Sequence, residues 1–269
     1  MTRLEVGVDI DDFRLGTKEG LRRAAELHFR EIEMATVEGE LAPSQLSSSG
    51  RRHLARFVNG QGLRLGALVA DMPGLHLADS RTVDERVERT LRIIDLAKDM
   101  GVPVVTAATG ALTDSEEGTP LPCALEALGR IGEFADTRGI RYAIRPSLDA
   151  GDRLADLLDA LGCPSIWLGL DPAAMVMTGA NPLASIERLM DRITLLHARD
   201  ATAGCMSRTD DYARLGHETR LGEGEVDLLG LFAALRDSEY RGACILRRTD
   251  SKTPTEDLQA ARSTIQRLL

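Results

Sequence analysis

The sequence lacks the features on which membrane proteins, redox-paired proteins and zinc-knuckle proteins depend. No hydrophobic run approaches the ~18 residues that a membrane-spanning helix needs, and the first residues read as the start of a strand rather than as a signal peptide. The four cysteines are too far apart in sequence for a zinc knuckle or a redox pair: Cys123, Cys163, Cys205 and Cys244. These absences predict a cytoplasmic protein with reduced thiols and no membrane partner.

Basic residues are also fewer than acidic ones. The chain has 33 lysines and arginines against 42 aspartates and glutamates, which gives a net charge of −9. A protein that binds a phosphate backbone needs a basic stripe, so we expect no nucleic-acid partner. The acidic balance still allows a local basic pocket.

Short apolar runs rich in β-branched residues alternate with longer segments of helical periodicity, a pattern typical of βα units around a parallel sheet. Eight runs are predicted to be strands: Leu4–Ile10, Glu31–Ala35, Leu63–Val69, Val102–Thr106, Ile140–Ile144, Ile166–Leu170, Ile193–His197 and Ala243–Leu246.

Apolar residues recur every three or four positions between these runs, which predicts amphipathic helices. The clearest are Thr82–Met100, Leu121–Thr137, Leu228–Arg236 and Thr255–Leu269. Gly101 follows the first of them as a stop signal, and Asp227 precedes the third as an N-cap. No linker or low-complexity stretch divides the chain, so residues 1–269 are expected to form one domain.

The fold class predicted by this alternation is α/β, as a single (β/α)8 (TIM) barrel. An open doubly wound sheet is the competing fold, but Asp9–Asp12 stands where its glycine-rich phosphate loop would follow the first strand. In a barrel, side chains at the carboxyl ends of the strands form the site. Six polar side chains are expected around that mouth: Asp9, Glu33, Arg145, Asp171, His197 and Arg247.

Two segments at the ends of the sixth and seventh predicted strands resemble the xylose isomerase-like TIM barrels, a superfamily of sugar and sugar-phosphate isomerases and epimerases. They are LDPAA at residues 170–174 and LLHARDA at residues 195–201. RLGEGEVD at residues 220–227 is similar to the family's LGxGxVD turn, and EYRG at residues 239–242 is similar to the turn before its last strand. The resemblance is weak over the whole chain and most specific from residue 170 to residue 246.

The resemblance implies a divalent metal held by Glu, Asp, His and Glu from four strands, with acids and bases that move a proton on a sugar. Asp171 and His197 match the second and third ligands, but the two glutamates fall on Arg145 and Arg247. A further family histidine falls on Ala174.

Other positions of the family pattern give the remaining candidates. Glu33 keeps an acidic position on the second strand, so His197, Asp171 and Glu33 are the candidate catalytic residues. The family places a substrate-contacting arginine within the long segment 202–224. Arg208 or Arg220 could serve there beside Arg145 and Arg247 as substrate-binding residues.

Magnitudes decide what the two arginines do to the implied metal. One guanidinium roughly 5 Å from a dication costs about 6–7 kcal/mol at an effective dielectric near 20, whereas a micromolar metal site is worth only about 8 kcal/mol. Arginine cannot lose its proton to accommodate a metal. We therefore expect no tightly bound metal and no other cofactor. Mn, Zn, Mg or Co would bind only if the residual positions Asp171 and His197 still hold one, and we expect Asp171 or Glu33 to pair with Arg145 or Arg247 instead.

Each candidate also has a structural interpretation. Asp171 could cap the turn that begins at Pro172, His197 could be a core histidine, and Arg145 and Arg247 could be ion-pair partners rather than an anion clamp. Asp200 is better interpreted as a turn residue, or as a residue that supports the site residues, than as a catalytic one.

Three functions remain open on the sequence. The first is a sugar or sugar-phosphate isomerase or epimerase that works without the usual metal, and the second is a non-catalytic barrel that binds an anionic sugar derivative or a protein partner. The third, a metal-dependent endonuclease similar to the abasic-site repair barrels, is disfavoured by five scattered histidines and the acidic balance. The expected partner is a small sugar-like molecule, and relatives that are dimers or tetramers leave a homo-oligomer open.

Overall fold

A computed structural model describes residues 4–145, 149, 151–204 and 216–268. Within them the strands are β1 Val6–Asp9, β2 Glu31–Ala35, β3 Arg64–Val69, β4 Val104–Ala108, β5 Arg141–Arg145, β6 Ile166–Leu170, β7 Ile193–Ala198, β8 Asp200–Thr202, β9 His217–Thr219 and β10 Ala243–Leu246. The α-helices are α1 Thr17–Glu26, α2 Ser48–Gly60, α3 Val83–Met100, α4 Pro122–Asp136, α5 Gly151–Leu161, α6 Pro172–Met177, α7 Pro182–Ile186, α8 Leu228–Asp237 and α9 Pro254–Leu268.

Eight parallel strands close into a barrel in the order β1-β10-β7-β6-β5-β4-β3-β2, and helices surround it. The predicted (β/α)8 fold is therefore confirmed. β8 and β9 lie outside the barrel wall and form a two-stranded antiparallel hairpin. β9 lies within the long segment 202–224, for which the sequence predicted no secondary structure, and β8 ends at the first residue of that segment.

The apolar runs form these strands because they are buried on both faces, as the strands of a parallel barrel must be. All six residues of β7 are buried, and so are four of the five in β5. The periodic faces of α3 and α4 pack over the strands, with Val87, Ile94 and Ile131 among their buried residues.

Predicted element ends are confirmed where a specific capping group sets them. Gly101 ends α3 in the left-handed conformation at φ 72°, and the Asp227 side chain accepts a hydrogen bond from the Gly230 N–H at the start of α8. β4 begins two residues later than predicted. The Val102 N–H donates to the Ala97 carbonyl at the end of α3, and Pro103 has no backbone N–H to donate to a neighbouring strand. The strand therefore begins at the residue after the proline.

Candidate functional site

Glu33 and His197 form a hydrogen-bonded pair inside the barrel. Glu33 lies on β2 and His197 on β7, and both side chains have no exposed surface. The His197 Nε2 atom is 2.8 Å from one Glu33 carboxylate oxygen and 3.1 Å from the other. The two candidate catalytic residues therefore contact each other directly.

Arg145 lies beside this pair at the last residue of β5. Its Nε donates to the Thr106 hydroxyl at 3.0 Å, and its Nη1 lies 3.5 Å from His197 Nδ1. Its Nη2 makes a salt bridge with Asp71, which follows β3. Gly169 on β6 leaves space for the arginine stem, because a Cβ there would lie 2.7 Å from the Arg145 Cγ.

Asp171 pairs with Arg199, which comes directly after β7, the strand that carries His197. The Arg199 Nη1 lies 2.8 Å from one Asp171 oxygen, and its Nε lies 2.8 Å from Glu218 on β9. The other Asp171 oxygen accepts from the Ala174 N–H at 3.0 Å and caps α6. The capping interpretation of Asp171 is therefore confirmed, and the carboxylate forms an ion pair as well.

Arg247 pairs with two acids, one at the end of β1 and one just after it. Its Nη2 lies 3.0 Å from Asp9 and its Nε 3.5 Å from Asp12. Asp12 also accepts from the Arg248 N–H at 2.7 Å. Arg247 is nearly buried, at 11% side-chain exposure.

The expected pairing of Asp171 or Glu33 with Arg145 or Arg247 is wrong in its partners. Both arginines are salt-bridged, but the carboxylates come from Asp71 and from Asp9 with Asp12. The Arg247 guanidinium meets acids at the end of β1, the strand next to β10, and the Arg145 guanidinium meets Asp71 after β3, which lies two strands away from β5. Glu33 is left to the histidine.

Of the two arginines predicted in the long segment, the structure describes Arg220. Arg208 lies outside the described residues. Arg220 is 56% exposed and pairs with Asp257 of α9 at 2.8 Å, beside Arg248, which bridges Asp257 and Glu218. Asp200, the first residue of β8, accepts from the backbone N–H groups of Gly222 and Gly224 in the turn after β9, which gives it a structural role rather than a place in a turn of its own.

Burial shifts the pKa of Glu33 upward and the pKa of His197 downward. Burial raises the pKa of Glu33 to about 7, although Arg247 and Arg145 lie close enough to oppose the shift. Burial also lowers the pKa of His197, and Arg145 and Arg247 lower it further, so this imidazole is neutral at pH 7. A neutral imidazole with Arg145 at Nδ1 donates its Nε2 proton to Glu33.

The pKa values of Asp171 and Asp9 are also shifted, in opposite directions. Burial opposes the ionisation of Asp171, but the Arg199 guanidinium outweighs it and holds the pKa of Asp171 at about 2. Burial raises the pKa of Asp9 well above its usual range despite Arg247, because Asp12, Glu33 and Asp11 are close. Groups displaced this far from their usual ionisation are typical of functional sites.

Sequence reasoning missed four residues that complete these contacts: Asp71, Asp12, Arg199 and Glu218. Asp71 could have been found by the same strand-end rule as the others, since it comes two residues after β3. Arg199 stood within the HARD segment, but only its histidine was recognised as a site residue. Glu218 gave no sequence signal, because its position depends on a hairpin that closes against the mouth.

Comparison with known proteins assigns the class. The family model for the xylose isomerase-like TIM barrel matches residues 21–268. The chain therefore belongs to the xylose isomerase-like TIM barrel family, as its sequence motifs indicated.

Individual relatives are distant. An inosose dehydratase from Clostridium beijerinckii is 23% identical over 128 residues, which cover 44% of this chain and 43% of that protein. The chain thus aligns with less than half the length of this curated relative.

Solved structures share the fold over the whole barrel. A xylose isomerase domain protein from Planctomyces limnophilus superposes with a TM-score of 0.83 at 18% identity, covering 98% of this chain and 95% of that one. A D-tagatose 3-epimerase-like protein gives 0.77 at 17% identity, with 98% and 97% covered. The IolI protein, solved with a bound zinc atom, gives 0.76 at 15% identity, with 98% of both chains covered. At these identities the likeness concerns the fold alone.

Proposed function

We propose that the protein is an isomerase- or epimerase-like barrel that binds a sugar or a sugar-like hydroxy ketone, with Glu33 and His197 as its acid/base pair. The observation that carries this proposal is the fully buried Glu33–His197 hydrogen bond beneath Arg145 at the carboxyl ends of the strands. Family membership supports the substrate class, and the similar proteins, an inosose dehydratase and a D-tagatose 3-epimerase-like protein, are consistent with it.

The ionisation of Glu33 suits proton transfer next to a carbonyl group. A carboxyl with a pKa of about 7 is partly ionised at neutral pH, so it can take a proton from carbon and return it. The His197 N–H holds the carboxylate oxygens. Arg145 lies next to the histidine, where a cation would stabilise the enediolate oxygen formed when the carbon proton leaves.

We also propose that this chemistry runs without the divalent metal typical of the fold. The side chains at the mouth do not suit a dication, because two positively charged arginines lie beside Glu33 and His197, and arginine has no lone pair to offer a metal. Asp171 is neutralised by Arg199. Within the described residues no group of three or more His, Cys, Asp or Glu side chains is arranged to hold a metal ion.

Deuterium incorporation tests the proton-transfer role. Incubation of the protein in D2O with a panel of ketoses, aldoses and cyclitol ketones should introduce deuterium next to a carbonyl group in at least one of them, detected by NMR. Glu33→Gln removes the base and should reduce the rate by about 100-fold or more. His197→Gln should reduce it as well.

Glu31→Gln is the matched control, because Glu31 lies two residues earlier on the same strand and is nearly buried, with a salt bridge to Arg64 at 2.6 Å. It should retain most of the exchange rate. Exchange that survives Glu33→Gln would remove Glu33 from the mechanism, and no exchange with any member of the panel would count against catalysis.

Metal titration tests the second part of the proposal. Mn, Zn or Co added to chelator-treated protein should show no site of micromolar affinity at the mouth by isothermal titration calorimetry. The triple variant Arg145→Glu, Ala174→His and Arg247→Glu should gain such a site, since it restores carboxylate and imidazole ligands. One equivalent of tightly bound metal in the unmodified protein would overturn the proposal.

A second candidate function is binding without turnover. It is supported by the complete burial of Glu33 and His197, since a substrate reaches them only after side chains at the mouth move. The deuterium panel separates the two candidates, because a non-catalytic barrel binds its ligand without exchange. Cytoplasmic location and a homo-oligomer stay predictions, and no helix among the described residues is long and apolar enough to cross a membrane.

A further inference from the structure

Asp71 covers the guanidinium of Arg145 on the solvent side. Arg145 directs Nε to Thr106 and Nη1 to His197, and its side chain is only 6% exposed. Its remaining nitrogen, Nη2, contacts the Asp71 carboxylate, and that side chain is 34% exposed. A molecule that approaches Arg145 from the mouth therefore meets a carboxylate first.

The Asp71 carboxylate is fixed in this position by the surrounding backbone. The same oxygen that contacts Arg145 accepts a hydrogen bond from the Ala108 N–H at 2.7 Å. The buried Arg86 of α3 donates to the carbonyl of Ala108 at 3.0 Å and to that of Met72 at 3.4 Å. Arg86 thus ties the backbone next to Asp71 to the end of β4, the segment that supplies the Ala108 N–H to the carboxylate.

The other described arginines next to this site are equally committed to carboxylates. Arg199 lies between Asp171 and Glu218, and Arg247 contacts Asp9 and Asp12. A phosphate or carboxylate ligand would have to compete with an internal carboxylate at each guanidinium. A hydroxyl group does not face this conflict, because it can donate to the carboxylate and accept from the arginine.

We propose that Asp71 is a specificity-determining residue that admits uncharged polyhydroxy ligands and excludes phosphate esters and sugar acids from Arg145. The mouth then selects an unphosphorylated sugar or cyclitol. This assignment of substrate class rests on the proposed function, but the repulsion of anions by Asp71 is measurable independently of any turnover.

Inorganic phosphate is the probe for this inference. The Nε–H signal of Arg145 is identified in 1H–15N NMR spectra by its loss in Arg145→Lys, and phosphate is then titrated at constant ionic strength. The unmodified protein should not saturate in the millimolar range. Asp71→Asn should bind phosphate at least about tenfold more tightly, because like-charge repulsion is removed.

Asp79→Asn is the matched control, since Asp79 lies on the same loop and forms an exposed ion pair with Arg81 at 2.8 Å. It should behave as the unmodified protein does. Asp71→Ala provides a second variant if the asparagine disturbs folding, which melting curves would reveal.

Two results would overturn the inference. One is saturable phosphate binding at Arg145 in the unmodified protein with the affinity of the Asp71 variants, a measurement that needs no variant to fold in an altered form. The other is no gain in phosphate affinity in either folded Asp71 variant. Neither result bears on deuterium exchange, so failure of this inference and failure of the proposed function are distinguishable.

Discussion

Glu33 and Asp171 are both buried carboxyl groups in one barrel mouth, yet they ionise in opposite ranges. The difference comes from the group that pairs with each carboxyl group. Asp171 meets the Arg199 guanidinium at 2.8 Å, and its pKa falls to about 2. Glu33 meets a neutral imidazole instead, so burial dominates and its pKa rises to about 7.

These shifts predict opposite pH dependences of stability. The folded-state pKa of Glu33 lies above the unfolded value of 4.5, so the folded state holds the extra proton and loses stability as pH rises from about 4.5 to 7. Glu33→Gln removes this loss. Across this pH range, the free energy of unfolding of the variant should therefore rise relative to that of the unmodified protein by about 3 kcal/mol in total.

Asp171→Asn should show the opposite trend. The folded-state pKa of Asp171 lies below the unfolded value of 3.8, so its contribution is fully present above that pH and is lost as pH falls toward 2. The variant should be less stable at pH 6, with the gap closing in acid. Urea unfolding at several pH values measures both variants, and parallel profiles for the two would contradict this account of the mouth.

At the level of elements, the hairpin of β8 and β9 connects the barrel mouth to the loop that follows β10. Glu218 on β9 accepts from Arg199 at 2.8 Å and from Arg248 at 3.1 Å. It also accepts from the Asp250 N–H at 2.6 Å. One carboxylate thus orients the arginine that holds Asp171 and fixes the loop after β10.

Glu218→Gln should weaken this connection. The buried charge that balances the two arginines is lost, and we expect a destabilisation of about 2–3 kcal/mol together with a decrease in the pKa of Asp171, because Arg199 is no longer shared with a second carboxylate. Chemical denaturation and carboxyl NMR titration measure the two effects. Glu223→Gln, an exposed change in the turn after β9, is the control and should leave both quantities unaltered; equal effects from the two variants would show that Glu218 is not an anchor.

The element pattern was largely readable from the sequence because it depends on local chemistry. Two-sided burial requires apolar runs such as Ile166–Leu170, and this strand has the predicted bounds. The hairpin was missed because β8 and β9 have only three residues each. Strands this short are stabilised by Glu218 and Asp200, not by their own hydrophobic pattern.

At the level of the whole molecule, closure of the barrel converts separate strand ends into one network of charges. Asp9 and Arg247 are at opposite ends of the sequence, but β1 and β10 are neighbours in the sheet. The same closure places Glu33 of β2 against His197 of β7 across the interior. The mouth is therefore densely charged, with most of its charges compensated internally.

The sequence by itself determined the eightfold alternation, the family and the absence of carboxylates at positions 145 and 247. These follow from residue type and order, and periodicity reports burial directly. Tertiary structure alone decided which acid neutralises each arginine, and it assigned Arg145 to Asp71 where the sequence had suggested Asp171 or Glu33. The physical reason is that ion pairing depends on distances of a few ångströms between loops remote in sequence, and charge type carries no information about those distances.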